Sequence, residues 1–393
     1  MELSTANVSP ADAGNGVVRV TRTGLVSAML VGLVGAIVIF LTPGFLALIA
    51  QKTGFGDDEL GYLAALDINA MGITVGLSTF ALSRVRWRMA VGLGLGLIVA
   101  GNLMTAAAES FSAMAAARIV AGAGEGICVG FAFAALGRAS NPDRAFSIYL
   151  VAGALLSSAF LYALPTVQAA VSPATVFMAS AALAALVMLT LRAFPDGSRD
   201  EPAMFATGGK IDLKYATGVL LGVFLLFFAM GAMWSYSERI GLASDLPADV
   251  IANGLAIGTM AGVVGAGLAG MLPRRWGRSW PLVISGIAGV ASFLMFRDQV
   301  SPSAFVIATV LMLFSWNFAQ PLLSGLCSEA CERGRVVCAM GSIQTFGTGL
   351  GPAAAAATLG TGSFTVAIYA SCLVMILSVA VTVATIRRGQ RTG

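Results

Sequence analysis

The sequence predicts an all-α integral membrane protein, with twelve transmembrane helices arranged as two pseudo-symmetric six-helix bundles. Three observations carry that expectation. Of the 393 residues, 58% are hydrophobic and only 11% are charged, against roughly 25% charged in soluble domains. Twelve apolar stretches come near the length of about 20 residues that crosses a bilayer core. The basic residues, finally, fall almost wholly on alternate connections between those stretches. A mean hydropathy of +0.87 argues against a soluble enzyme, a nucleic-acid binder and a disordered scaffold alike. No histidine is present, which removes the commonest metal ligand and proton relay. Five cysteines, an odd number, do not form the framework of a secreted scaffold.

In order along the chain, residues 1–20 read as a disordered tail. Helices are then expected at 24–50, 59–82, 88–108, 111–136, 144–168, 172–194, 214–237, 248–271, 280–296, 302–326, 335–358 and 363–386. Spans in lipid must satisfy every backbone N–H and C=O internally, which selects helices. The alternating ten-residue strands of a membrane barrel are not seen. The first stretch is too long for a signal-peptide core and is treated as retained. With the N-terminus placed in the cytoplasm, nineteen basic residues lie on inner segments and three, Lys52, Arg239 and Arg297, on outer ones. That partition follows the positive-inside rule. One basic residue, Arg118, remains inside a helix.

The longest polar connection, residues 195–212, divides the chain into an N-terminal six-helix bundle (21–194) and a C-terminal one (213–386). It reads as a cytoplasmic linker, with residues 387–393 as a cytoplasmic tail. Basic clusters recur across it: Arg86 and Arg275 are 189 residues apart, Arg144 and Arg335 are 191 apart, and Arg86-Trp87 matches Arg275-Trp276. Equal offsets point to a duplicated unit, as in many secondary transporters.

Charges within spans are costly and by default functional. Asp67, about 12 Å inside the second helix at 1.5 Å per residue, should lie level with Arg118, about 10 Å inside the fourth. Glu125 follows Arg118 by seven residues, on nearly the same helical face. The expectation is an Asp67–Arg118 ion pair, with Glu125 facing a central cavity. Arg stays charged, so two acids compete for it, and an acid that loses it in low dielectric takes up a proton. Gly122, Gly124 and Gly126 around Glu125 are expected to permit close helix packing. Pro43 with Gly44 and Gly351 with Pro352 are expected to kink their helices.

Several of these residues also carry a family pattern. Gly270, Arg275, Gly277 and Arg278 match Gly-x-x-x-Asp-Arg-x-Gly-Arg, with Arg274 in place of the Asp. In the first half, Ser83 to Arg88 keeps only the basic character. Arg118, Gly122 and Gly124 match the fourth-helix signature Arg-x-x-x-Gly-x-Gly. The antiporter signature Gly-x-x-x-Gly-Pro is absent from the fifth helix, which has Ala152 to Ala159 there, but Gly347, Gly351 and Pro352 reproduce it on the eleventh. On these residues the chain resembles the major facilitator superfamily over its full set of helices.

The resemblance implies a cavity lined by helices 1, 4, 7 and 10. It puts forward Trp234, Tyr236 and Glu238 on the seventh helix and Trp316, Asn317 and Gln320 on the tenth. Tyr162 and Gln344 are secondary candidates. It also implies an inner gate at the basic loops, with Arg86, Arg275, Gly277 and Arg278. Cys327 and Cys331 are read as buried thiols, and no metal or other cofactor is expected.

The function expected from these residues is secondary active transport of a small organic solute by alternating access, coupled to protons. An aromatic cavity and a mid-membrane acid suit efflux by antiport. The alternatives are uptake of an organic anion by proton symport, suited by Arg118, and a non-transporting receptor. Nucleotide drive is not expected, because no GxxxxGK[ST] loop occurs. Enzymatic activity is not expected either, because no nucleophile, base and ligand set converges. The expected partners are solute, protons and the lipid bilayer, with no nucleic acid and no obligate protein partner. The short loops suit a bacterial inner membrane.

Overall fold

The computed structural model describes residues 20–196, 212–272, 277–330, 335–359 and 363–392. Twelve helices follow in order: α1 (Arg22–Thr53), α2 (Asp57–Ala81), α3 (Trp87–Ala107), α4 (Phe111–Leu136), α5 (Pro142–Ala170), α6 (Pro173–Met188), α7 (Leu213–Ala243), α8 (Ala248–Met271), α9 (Ser279–Met295), α10 (Pro302–Glu329), α11 (Arg335–Ala356) and α12 (Thr365–Thr392). No strand occurs among the described residues. Nine of these helices are long and apolar enough to cross a membrane. Among the others, α6 and α9 are apolar but shorter, with 16 and 17 residues.

Capping side chains set half of the starts. Thr21, Ser110, Asn141, Ser172, Asp212 and Ser301 each accept a hydrogen bond from a first-turn amide through their side chains. Proline follows at the first position in α5, α6 and α10, where its missing N–H costs nothing. Gly54 ends α1 in the left-handed region, at φ 72°.

Three ends differ from the sequence expectation by six residues each. The sixth helix stops at Met188 because the next amides turn to carbonyls three residues back, Leu189 to Leu186 and Thr190 to Val187. That turn meets α1, where the Ser27 hydroxyl donates to the Thr190 carbonyl at 3.0 Å. The seventh helix runs six residues past its expected end, through Arg239, which bonds to Asp57 of α2. The twelfth continues to Thr392, through most of the expected tail. The expected linker and N-terminal tail fall largely on 197–211 and 1–19, outside the described residues.

Packing repeats between the halves. In the first, α4 lies against α1, α2 and α3, and α6 against α1 and α3; in the second, α10 lies against α7, α8 and α9, and α12 against α7 and α9. Between the halves, α2 packs on α11 and α5 on α8, with α1 against α7. These three cross-contacts are thus pseudo-symmetric images of one another or of themselves. The surface is inverted relative to a soluble protein: Leu77, Leu93, Tyr162, Leu186 and Ile287 are among its large exposed side chains. Tyr162, a candidate for the cavity, is 66% exposed.

Helix association in lipid depends on close packing of small residues. On α11, a Cβ on Gly347 would lie 2.6 Å from the Phe224 carbonyl oxygen of α7, and one on Gly351 would collide with that of Phe228. The Gly-x-x-x-Gly-Pro run therefore seats α11 directly on the α7 backbone. Gly351→Leu should destabilise the protein by about 1–3 kcal/mol through overpacking, seen as a lower Tm in detergent. Gly267→Ala, with nothing within 4 Å of the added carbon, should leave Tm unchanged.

Candidate functional site: a buried arginine and two acids

Three helices build the site, and glycines decide how close they come. Arg118, Gly122 and Glu125 share one face of α4. A Cβ on Gly122 would collide with the Asp67 carbonyl oxygen and lie 2.8 Å from its Oδ1. Asp67 of α2 therefore rests on the gap between Arg118 and Glu125. Gly126 seats α2 one turn further on, against Met71 and Thr74, while Gly124 seats α3 against Gly94 and Ile98. The three glycines hold two neighbouring helices around one guanidinium.

That guanidinium is fully engaged. Arg118 donates to Asp67 Oδ2 from Nε at 2.9 Å and from Nη2 at 2.6 Å. Nη2 also reaches Glu125 Oε1 at 3.4 Å. Nη1 points to Asn102 Oδ1 at 3.4 Å and Thr105 Oγ1 at 3.5 Å, both on α3. Arg118, Asp67 and Glu125 are 3%, 2% and 1% exposed. Asp67 Oδ1 and Glu125 Oε2 have no hydrogen-bond partner among the described residues. Fully ionised, the cluster would carry two negative charges against one positive. Beside it lies a cavity of about 10 Å³, lined by Val38, Thr42 and Phe45 of α1 together with Asp67 and Arg118; that is roughly the room one water needs. Glu125 is enclosed within the first bundle and bonds to Arg118 instead of facing an open space.

The six residues put forward for the cavity separate into two groups. On α7, Trp234 Nε1 donates to the Ile39 carbonyl at 3.1 Å. Pro43, which has no N–H, leaves that carbonyl without its helical partner. The Tyr236 hydroxyl donates to the Asp57 carbonyl at 2.9 Å, and Arg239 Nε to Asp57 Oδ1 at 2.6 Å. Glu238 is 6% exposed, and its Oε2 has no partner among the described residues. Trp234 and Tyr236 thus join the halves through α1 and α2. On α10, Trp316 meets Phe227 of α7 edge-on at 5.6 Å. Asn317 donates to the Leu313 carbonyl and faces Gly262 of α8, while Gln320 is half-buried.

At the opposite ends of these helices, Arg86 is exposed, whereas Trp87 is buried and donates to the Leu82 carbonyl at 2.9 Å. Arg138 lies over the Trp87 ring, 4.0 Å from its centroid. Gly277 takes φ 63°, a conformation that favours glycine. Arg278 pairs with Glu329, which also accepts from Tyr215, all within the second half. Arg275 lies outside the described residues. Cys327 is buried, Cys331 is not described, and no metal-capable cluster occurs among the described residues.

Sequence reasoning did not single out Asn102 and Thr105, or the Asp57–Arg239 pair. The first two were legible as polar residues three apart within an apolar span. The pair gave no such signal, because both residues lie near span ends, where charge is ordinary.

The family model of the Major Facilitator Superfamily matches residues 27–352. Among solved structures, the nucleoside transporter NupG superposes with a TM-score of 0.74 at 12% identity, covering 92% of this chain and 99% of its own. A D-xylose-proton symporter gives 0.72 at 14% identity, covering 92% and 96%. The human organic anion transporter MFSD10 (TETRAN) gives 0.67 at 14% identity, covering 92% and 99%. No curated protein matches in sequence. At these identities the likeness is one of fold, and with the family match it is sufficient: the chain belongs to the Major Facilitator Superfamily and is an integral membrane transporter.

Proposed function

We propose that the protein is a proton-coupled secondary transporter that exports a small organic solute by antiport. The observation that carries this reading is the buried cluster in which one guanidinium serves two carboxylates. Uncompensated charge in the bilayer interior costs several kcal/mol, so the cluster is balanced when it holds one proton. Either acid can then take that proton, and the orphan oxygens of Asp67 and Glu125 mark where it resides. A shift of Arg118 from one acid to the other passes the proton on. Uptake of an organic anion would need a guanidinium open to the solute, whereas Arg118 is 3% exposed and bonded on all sides. That favours the antiport reading.

In the proposed cycle the units 21–194 and 213–386 rock against one another, joined by the linker 195–212. In this reading both termini face the cytoplasm across a bacterial inner membrane, with the Asp57–Arg239 end outside; the excess of basic residues on alternate connections supports that orientation. Trp234, Tyr236 and Arg239 then close the outer face, and Glu238 is enclosed behind them. The solute meets Trp316, Asn317 and Gln320 on α10. Arg86, Arg275 and Arg278 act at the inner ends.

Proton flux in proteoliposomes carrying a pH-sensitive dye tests the coupling, with organic cations, neutral aromatics and organic anions as solutes. Asp67→Asn and Glu125→Gln should each abolish solute-driven proton movement while leaving solute binding in place. Unchanged coupling in both would overturn the reading. Arg118→Ala should destabilise the fold by about 3–5 kcal/mol, because it leaves buried carboxylates unpaired. In an Asp67→Asn background the loss should be smaller, as a Tm series in detergent would register.

The outer closure is separately testable. Arg239 and Asp57 are partly exposed, so their pair contributes up to about 1 kcal/mol. Arg239→Ala should therefore raise the outward-open population by up to about fivefold. Labelling of a cysteine in place of Glu238, which is 6% exposed in the closed form, should speed up accordingly.

A further inference from the structure

A groove of about 780 Å³ runs between α9 and α12 on the outside of the second bundle, far from the Arg118 cluster. Its volume falls within the roughly 300–1,000 Å³ typical of ligand sites. Val283, Ile287 and Leu294 of α9 and Ile376 and Val383 of α12 form apolar walls. Gly286 brings the helices into contact at Val379, while Ala291 and Ala380 are too short to fill the space beside it. From Val283 to Leu294 the groove follows α9 for about 16 Å at 1.5 Å per residue. That is about half of a 30 Å hydrocarbon core, the depth of one leaflet.

The single charged lining residue is Arg387, at the Val283 end. Arg278 is paired with Glu329, and Arg297, beyond the other end, bonds to Asp298 at 2.8 Å and the Tyr369 hydroxyl at 3.2 Å. Arg387 is exposed and has no ion pair or hydrogen bond from its side chain among the described residues. Trp280, 72% exposed at the start of α9, stands at the same end, and tryptophan favours the headgroup level. The groove therefore has an apolar body one leaflet deep and one cationic mouth. A guanidinium is well shaped to bind a phosphate, and basic pockets between spanning helices bind anionic headgroups.

We propose that this groove is a binding site for an anionic glycerophospholipid, with one acyl chain between α9 and α12 and its phosphate on Arg387. Neither the direction of transport nor the coupling ion enters the argument. Native mass spectrometry of the purified protein in detergent tests it, with added dioleoyl phosphatidylglycerol or dioleoyl phosphatidylcholine. Phosphatidylglycerol should bind more tightly, and Arg387→Ala should weaken it about fivefold, the effect of one basic residue near an anionic lipid. The double variant Ala291→Phe/Ala380→Phe fills the groove from two exposed positions and should abolish the adduct. Gel filtration of each variant confirms that it is folded. Equal binding of the two lipids, unchanged adducts in both variants, or a two-copy complex that excludes lipid would each overturn the proposal.

Discussion

A guanidinium held in the interior of a membrane bundle constrains everything around it. Arg118 keeps its charge under all ordinary conditions, so the helices beside it must bring acceptors to it. The first bundle does this with Asp67 from α2, Glu125 from its own helix, and Asn102 and Thr105 from α3. Such a cluster is weak evidence for stability, since desolvating its charges offsets most of their attraction. Its cost instead fixes geometry. Asp67 reaches Arg118 only because position 122 carries no side chain, and α3 comes close enough because position 124 carries none. Removing one acceptor strands charge; enlarging one glycine moves a helix.

The same rule, that no polar group goes unserved in lipid, shapes the contact between the halves. Pro43 has no N–H to give the Ile39 carbonyl, which keeps only the Thr42 hydroxyl at 3.3 Å from its own helix. The indole of Trp234 takes that carbonyl from the other half. A local defect in one helix thus leaves room for a hydrogen bond between bundles. Tyr236 and Arg239 add two bonds to the start of α2. None of the three is strong alone.

Much of this was legible in the sequence, for physical reasons that can be named. The helices were legible because lipid imposes a fixed apolar length. Their order in two equal halves was legible because basic residues mark alternate connections. The Asp67–Arg118 pair followed from counting depth along two helices that enter from the same side, since both charges lie where charge is expensive. The fate of Trp234 and Tyr236 was not legible. A helix-7 aromatic serves equally well against a solute or against a carbonyl of helix 1, and only the tertiary arrangement separates the two. The extension of α7 past Ser237 was missed for a related reason: Glu238 and Arg239 look like the end of a span, but Arg239 is held by Asp57. Glu125 was placed by its face on α4, which cannot say whether a neighbouring helix covers that face.

The cluster and the closure meet on one helix. Asp57 and Asp67 are ten residues apart on α2, about 15 Å along its axis, so a rigid α2 cannot move one without the other. Along the same helix, Gly61, Gly72 and Gly76 lie against Pro352, Thr345 and Ser342 of α11, small contacts that allow sliding. In the proposed cycle α2, which packs on both α4 and α11, shifts relative to the rest of its own bundle as the halves separate at Asp57, and the displacement is carried down to Asp67. The distances of 2.6 and 2.9 Å to Arg118 leave little slack, so a shift of about an ångström at Asp67 weakens that pair and leaves Glu125 as the nearer acid. Arg118 then rebalances by turning toward Glu125, and the proton must go to the acid it leaves. In that proposed cycle the outer face opens and the proton is exchanged in one motion, because a single stiff helix carries both Asp57 and Asp67.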